Sequence, residues 1–495
     1  MNSIKMARVS RAGDNHMQIP PDLMHFVQHD TYSLLIKGNS GTGKTTLSLT
    51  ILKALEVRSN FFYISTRLSP RQLFVNYPWL DKFVVRENIE VNDLTNQRTS
   101  LSSFEDARLD EPESLFERIT NQLMDVKAPI IIIDSWDAIA SFMDTEARLN
   151  NERVLQTWRE RAGAKLIFTS EDAEDNTLDF LVDGIVELKQ SAYRTTGVRQ
   201  IILSKLRGIK INRSSYIFTL NNGIFQSYER YDPSDFLIVN AATNAVASRN
   251  RVEQKESSLG LKSSSKIAKK FTGIECESLR IQLSTQALKN RLVLLEVDQV
   301  ISPNVCISFL AKIMSQFINN DDSVIIQPSS DTEPKVLLNY LQPYVYQKLG
   351  KNLRIFHHMS KDPEISEFIV EYRFEDTFSE RFKKFQNIVS NVRSQHKNRL
   401  LLNLVMLEDL GERLNEDSRF SEIISYLKLN TNLSVLVSIG PNKHKEIIRK
   451  VDIYLKLKIL SDTLFLQSVI PSGHCHAVLV QRSLGVPRIR LDCLV

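Results

Sequence analysis

The chain has 495 residues, enough for about two to four domains. Apolar residues make up 42% and charged residues 24%, an ordinary globular balance, and a net charge of +5 is too small to indicate a nucleic-acid binder by itself. No uninterrupted apolar run reaches the ~18 residues of a membrane span, the amino terminus has no apolar signal core, and the four cysteines form no CxxC pair, so a cytoplasmic protein with reduced thiols and no membrane partner is expected.

In chain order, "SLLIKG" (33–38) reads as a short buried strand ending in glycine. "TTLSLTILKALEV" (45–57) follows as a helix, with Leu47, Ile51, Leu52 and Leu55 at helical spacing. "FFYIST" (61–66), "APIIIIDS" (128–135) and "AKLIFTS" (164–170) are predicted strands alternating with helices, the pattern of a parallel sheet covered on both faces. "VDGIVELKQ" and "VRQIILSKL" then follow closely, and "SYIFTLNNGIFQS" reads as a hairpin turning at Leu-Asn-Asn-Gly, so an antiparallel edge is expected.

Composition changes after about Phe236. Residues 240–270 are rich in Ser, Asn, Ala and Lys and carry seven basic residues against two acidic ones. They read as a solvated linker or a basic contact surface. Alternation resumes with "LVLLEVDQV", "NVCISFLAKIMSQFI", "SVIIQPS", "EPKVLLNYLQPYV", "RLLLNLVMLEDL", "LSVLVSIG", "TLFLQSVI" and "HAVLVQR". The order suggests a degenerate tandem duplication. In that alignment "SVIIQPSSDTEPKVLLNYL" takes the place of "SLLIKGNSGTGKTTLSLTIL", "LLLNLVMLED" that of "APIIIID", and "LSVLVSIG" that of "AKLIFTS". "LSDTLFLQ" is set against "LVDGIVEL", and "HAVLVQRSLGVPRIRLD" against "RQIILSKLRGIKINRSS".

Gly38-Asn39-Ser40-Gly41-Thr42-Gly43-Lys44-Thr45, followed by Thr46, fits G-x-x-x-x-G-K-[ST] between a strand and a helix. Glycines let the backbone wrap with its N–H groups inward, and the helix that begins near Lys44 turns its positive end to the same anion. Lys44 is expected on the β/γ-phosphates and the Thr45 hydroxyl on Mg²⁺. Asp134, at the tip of "IIIID", is the expected second magnesium-shell residue.

The series from this loop through "FFYIST", "IIIIDSWDAI", "AKLIFTSE", "VDGIVEL", "ILSKLRG" and "FTLNNGI" resembles the RecA-like ATPases of the KaiC group, over roughly residues 20–228. "YISTRLSPRQL…YPWL" is most similar to the archaeal gas-vesicle regulator GvpD and its relatives. The resemblance implies an α/β RecA-like P-loop NTPase domain over 1–238, with a mostly parallel sheet, helices on both faces and late antiparallel hairpins. A basic linker over 239–275 and a second, degenerate RecA-like α/β domain over 276–495 complete the expected architecture. ATP and Mg²⁺ are the implied ligands, and a regulatory ATPase that often oligomerises is the implied activity. For the GvpD branch, repression of gas-vesicle genes is the implied role.

The KaiC-like group carries a glutamate pair after the second strand, which activates the attacking water. Here the segment is Ser65-Thr66-Arg67-Leu68-Ser69-Pro70, with no carboxylate. A base within hydrogen-bond reach of the water is worth ~10²–10⁴ in rate, so hydrolysis is expected to be slow. Arg67 is expected to pair with a surface acid or touch a phosphate. Glu171 and Asp137, at the tips of the next two strands, are the acids that could substitute as base, each with helix capping as the plainer role. Lys205 and Arg207 are expected on one face of "IILSKLRG". In the resembling family this pair reaches the neighbouring subunit's γ-phosphate, and a basic edge strand is the alternative. Arg194, Arg199, Lys210 and Arg213 flank the pair, which leaves room for a regulatory protein partner.

In the second half, the stretch Gln327 to Lys335 lacks glycine, and Pro328, Pro334, Asp331 and Glu333 would spoil a phosphate cradle. His474-Cys475-His476 reads as ordinary strand residues, since a metal site needs further ligands. The other functions open at this level are a DNA recombination or repair ATPase and an active clock-type ATPase. No helix-turn-helix or zinc-finger spacing favours the former, and direct nucleic-acid binding stays open.

Overall fold

The computed structural model describes residues 19–494 except 58–59, 84–101, 109–110, 124–125, 172–176, 194–195, 238–289, 346–348, 350–351, 359–364, 374, 396–398, 408–416, 441–444, 472–474 and 484–485. The expected linker (239–275), Arg194 and His474 therefore lie outside the described residues. Among the described residues no helix is long and apolar enough to cross a membrane. The chain forms two compact units, the first through Glu229 and the second from Arg230 to Cys493.

The first unit runs α1 (Pro21–Val27), β1 (Ser33–Lys37), α2 (Lys44–Ala54), β2 (Phe61–Ser65), α3 (Pro70–Asn76), α4 (Leu80–Phe83), β3 (Ser102–Asp106), α5 (Pro112–Leu123) and β4 (Ile130–Asp134). It continues with α6 (Trp136–Ala140), α7 (Thr145–Ala162), β5 (Lys165–Ser170), α8 (Thr177–Leu181), β6 (Gly184–Tyr193), β7 (Thr196–Leu206), β8 (Ser215–Thr219) and β9 (Gln226–Ser227). Strand order is β3-β2-β4-β5-β1-β6-β7-β8-β9. Pairs from β3 to β6 are parallel, and β6 to β9 pair antiparallel. Both the parallel body and the hairpin edge thus follow the sequence pattern.

Alternation sorts the strand residues between two cores. Leu34, Ile36, Phe61, Tyr63, Ile130 and Ile132 pack against Leu47 and Ile51 of α2. Leu35, Phe62, Ile64, Ile131 and Ile133 pack on the other face against Phe116, Trp136 and Trp158. Because both faces are covered, β1, β2 and β4 are buried at every position, which is why they read as continuous apolar runs.

The second unit runs β10 (Arg291–Val297), α9 (Pro303–Asn319), β11 (Ser323–Gln327), α10 (Pro334–Leu341), β12 (Leu353–His357), β13 (Ile369–Glu371), α11 (Phe378–Gln395) and β14 (Leu401–Met406). Then come α12 (Asp417–Asn430), β15 (Leu433–Ile439), α13 (Lys445–Lys450), β16 (Ile453–Leu460), β17 (Thr463–Ile470), β18 (Cys475–Ser483) and β19 (Val486–Cys493). Its order, β13-β12-β11-β14-β15-β10-β16-β17-β18-β19, matches the first sheet from β12 onward. β10 lies between β15 and β16 as β1 lies between β5 and β6.

That order corrects three of the five sequence landmarks. "SVIIQPSSDTEPK" is β11 and its turn, the counterpart of "FFYISTRLSP" and not of the phosphate loop. The counterpart of the phosphate loop is the turn after β10, Asp298-Gln299-Val300-Ile301-Ser302, which has neither glycine nor lysine. "LSDTLFLQ" belongs to β17 and matches β7, and the last landmark shifts likewise by one strand. "LLLNLVMLED" and "LSVLVSIG" hold their assigned places as β14 and β15.

The true match for "VDGIVEL" is "VDIYLKL", and the same device recurs in both. Asp183 accepts from the Ser33 N–H at 3.1 Å, and Asp452 accepts from the Leu292 N–H at 2.8 Å. Each aspartate also pairs with a cation from the helix before the preceding strand, Arg159 at 2.8 Å and Lys428 at 3.4 Å. Asp183→Ala or Asp452→Ala leaves a buried strand-opening N–H without its acceptor. Each is expected to cost its own unit about 1–3 kcal/mol, read from chemical denaturation.

Candidate functional site

β1 ends at Lys37, and the chain turns through Gly38 to Gly43 into α2. Two of these glycines are required by geometry. Gly38 has φ +153°, and a Cβ there would lie 2.6 Å from the Leu188 carbonyl oxygen. Gly43 has φ +106°, and its Cβ would strike the Leu220 side chain at 2.8 Å. As the residue before α2, Gly43 offers no side-chain cap, so the first N–H groups of the helix stay available to an anion.

Lys44 Nζ folds back over the loop and donates to the carbonyls of Gly38 at 2.6 Å and Asn39 at 3.1 Å. Thr42 Oγ1 donates to the Asn39 carbonyl, and Arg199, from β7, donates to the Gly41 carbonyl at 2.8 Å. Burial holds the Lys44 ammonium below its ordinary value, opposed by the charges of Glu171 and Asp134. Thr46 meets Tyr77 Oη at 3.0 Å, which ties the start of α2 to the end of α3.

Asp134 is brought to the same place by β4. Its Oδ2 accepts from Thr45 Oγ1 at 2.6 Å and from Tyr63 Oη at 2.5 Å, and its Oδ1 accepts from Thr169 Oγ1 at 2.6 Å. Burial, then the Asp134 charge, raises the Tyr63 phenol well above its ordinary value, so it remains a donor. The peptide between Asp134 and Ser135 is cis. Tyr63 and Thr169 were not identified from sequence. Their only signal was a hydroxyl inside an apolar run, which is common to many strands.

A Thr45 hydroxyl beside a carboxylate suits Mg²⁺, which prefers one or two protein oxygens completed by waters and phosphates. Among the described residues no group of three or more His, Cys, Asp or Glu could hold a metal by itself.

Just past the tip of β2, Arg67 Nη1 lies 2.5 Å from Oε1 of Glu171, the residue after β5, so the expected pairing with an acid is met by a residue 104 positions away. The same oxygen is 3.6 Å from Lys44 Nζ. Glu171 is thus at the same end of the sheet as the glycine-lysine loop, and the hydrogen bond from Arg67 holds its carboxyl below the usual range. Asp137 accepts from Ser170 Oγ at 2.8 Å and from the Glu171 N–H at 2.5 Å, so it orders the tip of β5.

Lys205 and Arg207 are not brought to this chain's own phosphate loop. They also do not share a strand face. β7 ends at Leu206 after a register break near Lys205, and Arg207 falls in the following turn. Lys205 Nζ donates to the carbonyls of Asp179 and Val182, and Arg207 pairs with Asp183 at 3.1 Å, beside the start of β1. Of the flanking cations, Arg213 stacks over Tyr216 at 4.3 Å.

A parallel sheet with a phosphate-type loop after its strand β1, a lysine in that loop and a threonine against the acid ending β4 define a RecA-like P-loop domain. Residues 23–204 match the family model described as GvpD gas vesicle protein, P-loop domain. The first unit is a KaiC/GvpD-like P-loop domain. The chain is similar to Protein GvpD1 of Halobacterium salinarum, 29% identical over 223 residues, covering 42% of this chain and 40% of that protein. It is also similar to Protein GvpD2 of the same organism, 26% identical over 207 residues, with 39% and 41% covered. The circadian clock oscillator protein KaiC of Thermostichus vulcanus is 24% identical over 217 residues, 41% of each chain. The chain thus spans about two fifths of the length of the curated relatives it matches.

Proposed function

We propose that the first unit binds ATP with Mg²⁺ and serves as a nucleotide-dependent regulatory switch, controlling gene expression in the manner of a gas-vesicle regulator, with slow hydrolysis. The observation that carries this reading is the contrast between two strand tips. The loop, Lys44, Thr45 and Asp134 supply what binding needs, whereas the tip of β2 offers a cation, Arg67, where a water-activating acid would stand. In this reading the loop N–H groups and Lys44 hold the phosphates. Thr45 and Asp134 hold the magnesium ion, which neutralises phosphate charge. A homo-oligomer, with Lys205 and Arg207 turned to the next subunit, is part of the proposal.

The test is nucleotide binding and turnover on the full chain. ATP·Mg²⁺ should bind and be consumed slowly. The turn after β10 has no glycine or lysine, so saturation should come at one nucleotide per chain. A calorimetric stoichiometry of two would mean that the second unit binds nucleotide despite that turn.

A further inference from the structure

The group of charges at the open end of the sheet has a specific chemistry. Two cations, from the tip of β2 and from the phosphate loop, converge on one carboxylate oxygen. Glu171 Oε1 lies 2.5 Å from Arg67 Nη1 and 3.6 Å from Lys44 Nζ. If Lys44 binds phosphate, that oxygen stands where a terminal phosphate oxygen would draw the same two cations.

Both partners are presented by fixed backbone. Thr66 donates its N–H to the Asp134 carbonyl at 2.8 Å, and the Leu68 N–H donates to Ser65 Oγ at 3.1 Å. Ser69 then caps α3 in a reciprocal box with Gln72. Glu171 is anchored through its N–H on Asp137. The pair itself is readily exchanged, because the side chains are 48% and 31% exposed and such ion pairs contribute little. A terminal phosphate carries more charge than a carboxylate and matches the planar guanidinium fork with two oxygens.

We propose that Arg67 reads the terminal phosphate of a bound nucleoside triphosphate, and that Glu171 stands in for that phosphate when the site is empty. Arg67 is then a specificity-determining residue that separates triphosphate from diphosphate. It occupies the strand tip where the KaiC-like resemblance implies a water-activating acid, so in this chain that tip recognises the uncleaved nucleotide instead. Its exchange between Glu171 and phosphate lies two residues before the cap of α3, which gives the nucleotide state a path to that helix. The inference rests on the nucleotide-binding reading of the loop.

The test is calorimetry on the full chain with Mg·ADP and with a non-hydrolysable Mg·ATP analogue. Arg67→Ala should weaken the analogue about 10–100-fold, the worth of a charged hydrogen bond, and leave ADP within about 2-fold. Arg67→Lys should retain part of the preference, since it keeps the charge and loses the fork. Glu171→Gln should tighten the analogue by removing the competing charge. Equal loss for both nucleotides in Arg67→Ala, or no loss for the analogue, would overturn the inference while the loop remains the site. A wild-type chain that binds neither nucleotide would overturn the loop reading and this one with it.

Discussion

Lys44→Ala is expected to abolish measurable ATP·Mg²⁺ binding while the chain stays folded. The lysine is 7% exposed, and its ammonium is bonded to polar groups: two loop carbonyls and, at 3.6 Å, Glu171. No apolar core contact depends on that amine, so little stability should go with it. Its contribution to binding is of a different size. A buried ammonium shared between two phosphate groups makes at least two charge-assisted bonds, each worth about 1.5–3 kcal/mol, so a loss of at least ~100-fold is expected. Calorimetry on both forms, with circular dichroism to confirm the fold, decides it. Equal affinity would remove this loop from the site.

Turnover of bound ATP should be ~10²–10⁴ below that of a relative with an acid at the tip of β2. The structure sharpens the reason. Glu171 is the carboxylate paired with Lys44; in the empty site the hydrogen bond from Arg67 keeps its pKa low, and the Lys44 charge lowers it as well. A carboxylate stabilised as the anion is a weaker base, so it abstracts a proton from water less readily. Lys205 and Arg207 do not serve this chain's own loop either, because they are tied near Asp183 and Val182. Arg207 is 62% exposed and bound by one weak ion pair, so a neighbouring subunit could recruit it. Residual turnover should therefore rise with protein concentration, and Arg207→Ala should remove the rise. Turnover of ~1 s⁻¹ or faster, independent of concentration, would show that a competent base is already in place.

The phosphate loop, the α/β class and the hairpin edge were legible because each is written in neighbouring residues. G-x-x-x-x-G-K-T needs its glycines and lysine at covalent spacing, and a doubly covered strand must be apolar at every position. Asp134 was legible for the same reason, as the one charged residue ending an isoleucine run. The second unit lacks such an anchor. Several of its strands are similarly apolar, so periodicity alone could not say which one takes the place of β1. The order of apolar runs assigns "SVIIQ" there, and only the pairing of β10 between β15 and β16 places it one strand further on.

By itself, then, the sequence determined the glycine- and lysine-bearing turn between β1 and α2 and the acid that meets Thr45, because backbone turns and helix starts are local. Tertiary structure decided everything that depends on strand order. It set Tyr63 and Thr169 on Asp134, joined Arg67 to Glu171 across 104 residues, and put Asp183 at the mouth of β1 across 150. Such contacts join the tips of strands that are neighbours only after the sheet is assembled, and no spacing along the chain encodes them.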